Sequence, residues 1–95
     1  MAIRTWASDA TQAIFRGKSP DLVPRSVLAR AHRKLVMLHA AADLRDLRVP
    51  QSNRREKLRG AREGQYSIRV NDQYRICFTW RSGDAYQVEI VDYHR

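Results

Sequence analysis

The 95-residue sequence predicts an α+β fold, with two N-terminal helices packed on one face of a small twisted antiparallel β-sheet. Three observations lead to this. In the first half, Val27, Leu28, Ala31, Leu35, Leu38 and Ala42 recur at helical spacing and form one apolar stripe. In the second half the period falls to two. Tyr66, Ile68 and Val70 alternate with Ser67 and Arg69, and Tyr74, Ile76, Phe78 and Trp80 alternate with Arg75, Cys77 and Thr79. Between these runs, Asn71-Asp72-Gln73 supplies turn chemistry. No repeat or linker interrupts the chain, so residues 1–95 read as a single domain able to bury a modest two-layer core.

Each element has its own signal. Residues 2 to 6 are expected to form a short opening strand. Ser8 offers an N-cap, Asp9 suits the first turn, and Ala10, Ala13 and Ile14 continue a first helix that ends at Gly17. Pro24 opens the second helix, and Arg25, Arg30, Arg33 and Lys34 fall largely outside its apolar stripe. RVPQSN is a connector. NRREKLRG, with Leu58 its one apolar residue, reads as an edge strand or exposed arm. Residues 60 to 64 loop into the hairpin, RSGD turns the chain, and Tyr86, Val88 and Ile90 alternate with Gln87 and Glu89 in a last strand.

The hairpin register follows from parity. A two-residue turn would set Ile68 against Arg75 and mix apolar with charged residues on one face. A three-residue loop pairs Val70 with Tyr74 and Ile68 with Ile76, keeping one face apolar. Arg69 then lies directly across from Arg75, an unfavourable like-charge pair. With the helices covering the apolar face, both arginines are expected to look outward, either snorkelling into water or forming a face that holds an anion. Replacing Arg75 is then expected to change stability little.

Composition narrows the function. Eighteen Lys plus Arg against ten Asp plus Glu give a net charge of +8, which favours a polyanionic partner. Residues 54 to 81 hold eight of the basic side chains and three acids, concentrating the charge on the strand-rich half. No apolar run approaches a membrane span, no signal-peptide pattern is present, and a lone Cys77 fits a reduced cytoplasm. Arg75 could lower the thiol pKa, although a small strand filler is the simpler role. Phosphate loops and nucleophile elbows are absent. His32 and His39 are seven residues apart, not the four usual for two helical metal ligands, so neither a metal nor another cofactor is expected.

The segments E-K-L-R-G, Y-S-I-R-V-N-D-Q-Y-R-I and the final D-Y-H, in that order and after two helices, resemble a HigB-type toxin of the RelE/ParE superfamily along essentially the whole chain. The resemblance implies a cytoplasmic, ribosome-dependent mRNA endoribonuclease. It also implies a helix-turn-helix antitoxin of HigA type, through which alone the complex would meet DNA. It carries catalytic roles to Glu56 and Arg59, to Arg75, and to Asp92, Tyr93 and His94. Some members have His-x-x-Lys where this chain has Glu56 and Arg59, which leaves the general base open between Glu56 and His94. Arg55, Lys57 and Arg69 are expected to bind RNA.

These residue types suit the reaction. Metal-free RNA cleavage needs a base for the 2′-hydroxyl, an acid for the leaving 5′-oxygen and cations for the charge developing on phosphorus. Arg59 and Arg75 can grip phosphate oxygens in a fork. Glu56 and His94 can carry protons, Asp92 can orient a neighbour, and Tyr93 can stack on a base. Two other readings remain: a ParE-like inhibitor of DNA gyrase, and an RNA-binding module without catalysis.

Overall fold

The computed structural model describes residues 2–93, and within them the expected architecture is present. Helix α1 spans Asp9–Phe15 and α2 spans Arg25–Ala40. Four antiparallel strands follow in sheet order β1-β2-β3-β4: β1 Glu56–Lys57, β2 Gln65–Arg69, β3 Tyr74–Arg81 and β4 Asp84–Asp92. No helix among the described residues is long and apolar enough to cross a membrane.

Local chemistry fixes the helices. The Ser8 hydroxyl accepts from the Thr11 amide at 3.1 Å, capping α1, and Gly17 takes a φ of +86° just beyond its end. Pro24 occupies the N-cap of α2. Ala31, Leu35 and Leu38 are fully buried against Ile68, Ile76, Phe78, Val88 and Ile90 of the sheet, giving one core on one face. Ala42, expected in the helical stripe, lies beyond the helix and is exposed. Ala41 turns the backbone to an extended conformation and is buried instead, while the Ala42 amide donates to Asp46 Oδ2 at 3.0 Å.

The connector is more ordered than a bare loop. A 3₁₀ turn over Leu44–Arg48 is capped by Asp43 and Asp46, and a second covers Gln51–Asn53. Asn53 is fully buried and donates to the Leu47 and Val49 carbonyls at 3.2 and 3.5 Å.

The sheet follows the parity argument at its centre and departs from it at β4. Ile68 pairs with Ile76, Arg69 with Arg75, and the Val70 amide donates to the Tyr74 carbonyl at 2.9 Å across the three-residue loop. In β4, Cys77 faces Glu89 whereas Thr79 faces Tyr86, so one extra residue is inserted on β4. Gln87 absorbs it with a φ of +52°. Tyr86 is therefore shifted off the face shared by Val88 and Ile90, correcting the simple alternation. Its ring lies under the Arg81 guanidinium, 4.5 Å from the centroid. The N-terminal segment holds this bulge: Thr5 Oγ1 accepts from the Gln87 amide at 2.8 Å, and the Thr5 carbonyl accepts from Val88 at 3.1 Å. The expected opening strand is present as two isolated parallel bridges, Ile3 to Ala85 and Trp6 to Val88.

The sequence predicts that the second face of the sheet looks outward into water, and the structure corrects this. Ser67 and Cys77 on that face are fully buried, and Arg75 is only 7% exposed. Leu58, opposite Gln65 and so on the same side as Ser67, is buried apart from the main core. Leu58 of the edge arm and the Arg75 side chain thus share this face with Ser67.

Candidate active site

Arg75 is the fixed point of the site. Small Ser67 leaves room for its side chain to cross β2, and its Nε donates to Ser67 Oγ at 2.7 Å. Its Nη2 donates to the Ser67 carbonyl at 3.4 Å and to the Arg54 carbonyl. Arg54 can present that carbonyl because it adopts a left-handed conformation, φ 41° and ψ 55°, at the end of the second 3₁₀ turn. Glu56 Oε1 stands 3.7 Å from Arg75 Nη1, and the Tyr93 ring centroid is 5.8 Å from the guanidinium carbon. So many contacts hold the guanidinium plane in one orientation, the preorganisation that charge stabilisation requires.

Above it opens a cleft of about 300 Å³ lined by Arg54, Glu56, Arg69, Asn71, Asp72, Arg75 and Tyr93. Its wall is the hairpin tip. Asn71 Oδ1 accepts from the Gln73 and Tyr74 amides at 2.9 and 2.7 Å, and Arg69 contacts the Asp72 carboxylate. The chain's last described residues brace the tip. The Tyr93 amide donates to the Gln73 carbonyl at 2.6 Å, and Gln73 Nε2 donates to Asp92 Oδ2 at 3.0 Å.

Of the expected site residues, the fold brings Glu56, Arg69, Arg75 and Tyr93 to one cleft. Asp92 sits at its edge through Gln73. His94 lies outside the described residues. Arg59 and Lys57 line a separate groove with Gly60 and Glu63. Arg55 turns the other way: its Nη1 donates to the Leu44 carbonyl at 3.1 Å, and its guanidinium covers the Tyr66 ring at 5.9 Å. Strand alternation explains the split, because Glu56 pairs with Ser67 on the cleft side and its neighbours point away. Arg59 falls past the two-residue strand, at the cap of a 3₁₀ turn over Gly60–Arg62.

Sequence reasoning missed Ser67, Arg54 and the acceptor role of Asn71. Asn71 had a signal, since an Asn opening a tight loop commonly binds the amides two and three residues on. Arg54 acts through a carbonyl and had none. Burial pushes the Cys77 thiol pKa up, outweighing the nearby Arg62 and Arg75 charges, so Cys77 is a strand filler. His39 Nδ1 accepts from the Ile3 amide at 3.3 Å, and its ring meets Phe15 edge-on. Among the described residues no group of three His, Cys, Asp or Glu side chains is placed to hold a metal.

Comparison with known proteins adds a lineage to this geometry. Residues 7–94 match the family described as the RelE-like toxin of type II toxin-antitoxin system HigB. Toxin HigB-1 of Vibrio cholerae is 48% identical over 68 residues, covering 72% of each chain. Endoribonuclease HigB of Proteus vulgaris is 29% identical over 92 residues, covering 97% of this chain and 99% of the relative. A solved YoeB-YefM complex from Staphylococcus aureus superposes with a TM-score of 0.60 at 16% identity over the whole of both chains, a likeness of fold.

Proposed function

From its membership in the RelE-like HigB toxin family of type II toxin-antitoxin systems, to which this chain belongs, we propose that it is an endoribonuclease acting on mRNA at the ribosome. The observation that carries this reading is the immobilised Arg75 guanidinium at the floor of a cleft with a carboxylate, Glu56, 3.7 Å away. The Proteus relative's name, an endoribonuclease, agrees with it.

In this reading a phosphodiester lies on Arg75, with Arg54 and Arg69 flanking it. The 2′-oxygen of the preceding ribose attacks phosphorus while its proton passes to a base. The bond to the 5′-oxygen breaks, and an acid protonates that leaving oxygen. Arg75 supplies a fixed positive charge at the cleft floor for the charge that accumulates on the non-bridging oxygens. Glu56 is the proton acceptor within the cleft, and His94 is the other proton carrier. Tyr93 stacks a base and holds the strand in register. The cleft is small and open, which suits a substrate positioned by the ribosome.

A toxin of such a system has an antitoxin partner. We take it to be a HigA-type helix-turn-helix protein with acidic residues in its contact surface, through which the complex reaches DNA. The activity is tested by primer extension on a translated message after expression of this chain. Cuts within ribosome-bound codons are expected. Equal cutting of naked RNA removes the ribosome from the proposal, and inhibition of DNA supercoiling without RNA cleavage overturns it.

A further inference from the structure

A second basic groove lies outside the cleft. Arg30, Arg33 and Lys34 share one face of α2, since positions i, i+3 and i+4 of a helix are neighbours. With Pro50 and Ser52 of the connector and Arg69 of β2, they line a cavity of about 500 Å³. Like charges at this spacing destabilise a helix, and α2 contains no acidic residue to offset them. Among the described residues none of the three makes a salt bridge.

An ordinary solvated helix face would let these side chains diverge into water. Lys34 does the opposite: its Nζ donates to Oδ1 of the fully buried Asn53 at 2.5 Å. Burial, together with the Arg30, Arg33 and Arg69 charges, lowers its pKa. The ammonium is thus held at the groove against a local field that an incoming anion would relieve.

Arg69 connects this groove to the cleft, because it lines both. Asp72, its partner at the junction, is 98% exposed and can yield to a phosphate. We infer that the groove of Arg30, Arg33, Lys34 and Arg69 holds the phosphodiester backbone of the same RNA strand whose reacting phosphate lies on Arg75. Continuity through Arg69 favours that strand over an acidic segment of the antitoxin. The inference rests on the cleavage reading and extends it to the flanking nucleotides.

The test uses an uncleavable 2′-O-methyl strand as tetranucleotide and dodecanucleotide, with affinity read by fluorescence anisotropy across salt concentrations. Arg30→Gln/Arg33→Gln is the variant, since both side chains are exposed and the Lys34–Asn53 contact is left alone. Each phosphate contact on a single strand contributes about 0.7 to the salt slope, so the dodecanucleotide slope should fall by about 1.4. The tetranucleotide slope should not change. Cleavage of a translated message by the unaltered protein is measured beside it. Normal cleavage with an unchanged dodecanucleotide slope overturns the groove alone. A reduced slope without cleavage by the unaltered protein overturns the cleft reading and leaves an RNA-binding groove. Equal weakening of both lengths overturns the single continuous path. Loss of antitoxin affinity with RNA binding intact assigns the groove to that partner and overturns the inference.

Discussion

Arg69 and Arg75 stand directly opposite each other across the β2–β3 ladder, and each guanidinium is turned to a different set of acceptors. Arg69 meets Asp72 at the hairpin tip, while Arg75 reaches across β2 to Ser67, the Arg54 carbonyl and Glu56. The repulsion expected of the pair is thereby divided between two local counter-environments. One arginine stays at the rim and the other is sunk into the floor.

Burial of Arg75 changes what its removal should do. Arg75→Ala should slow cleavage by about 10²–10³-fold, the loss typical of one preorganised oxyanion donor. It should also destabilise the fold, because Ser67 Oγ and the Arg54 carbonyl lose their donor at about 1–3 kcal/mol for a buried polar group left unpaired. An outward-facing Arg75 would have cost little stability, so urea unfolding separates the two pictures. Arg75→Lys keeps the charge without the fork and should recover only part of either loss.

Glu56→Gln should leave folding and RNA affinity near those of the unaltered protein and slow cleavage by about 10²-fold or more, as for loss of a general base. Single-turnover rates on ribosome-bound message measure it. A loss below tenfold assigns proton abstraction to His94.

Stopping the chain after Val91 should abolish cleavage and also loosen the hairpin tip. It removes the Asp92 carboxylate and Tyr93 amide that brace Gln73, as well as the ring over Arg75. Hydrogen exchange should show faster amides at residues 71 to 74, with the amides of α2 unaffected. Retained cleavage would remove the C-terminal residues from the site.

Asn53→Ala should destabilise by about 1–3 kcal/mol, since it strips a buried partner from Lys34 and from the Leu47 and Val49 carbonyls. The shift of the urea midpoint reports this directly. An unchanged midpoint would mean that water replaces the amide at no cost.

Much of the framework was legible because parity is unforgiving. Only a three-residue loop keeps Ile68 and Ile76 on one side, so the Arg69–Arg75 pairing followed from spacing alone. The β4 bulge was not legible. Tyr86, Val88 and Ile90 satisfy perfect alternation, and what displaces Tyr86 is a set of hydrogen bonds from Thr5, some eighty residues away in sequence. In the site, Glu56, Arg75 and Tyr93 were expected and share a cleft. The resemblance places Arg59 with them, and Arg55 and Lys57 beside them as RNA contacts, but a two-residue strand followed by a 3₁₀ turn points consecutive side chains in different directions. The Arg54 carbonyl was invisible because every residue has one; its use here depends on a backbone conformation.

Cys77 lies at the centre of β3 on the covered face, fully enclosed and with its thiol held protonated by burial. An electrophile that thiolates attack therefore meets a silent protein so long as the sheet stays closed. Labelling of this lone cysteine becomes a clock for the opening of that layer. Because Ser67, which steadies Arg75, pairs directly with Cys77, the same clock reports how often the floor of the cleft comes apart.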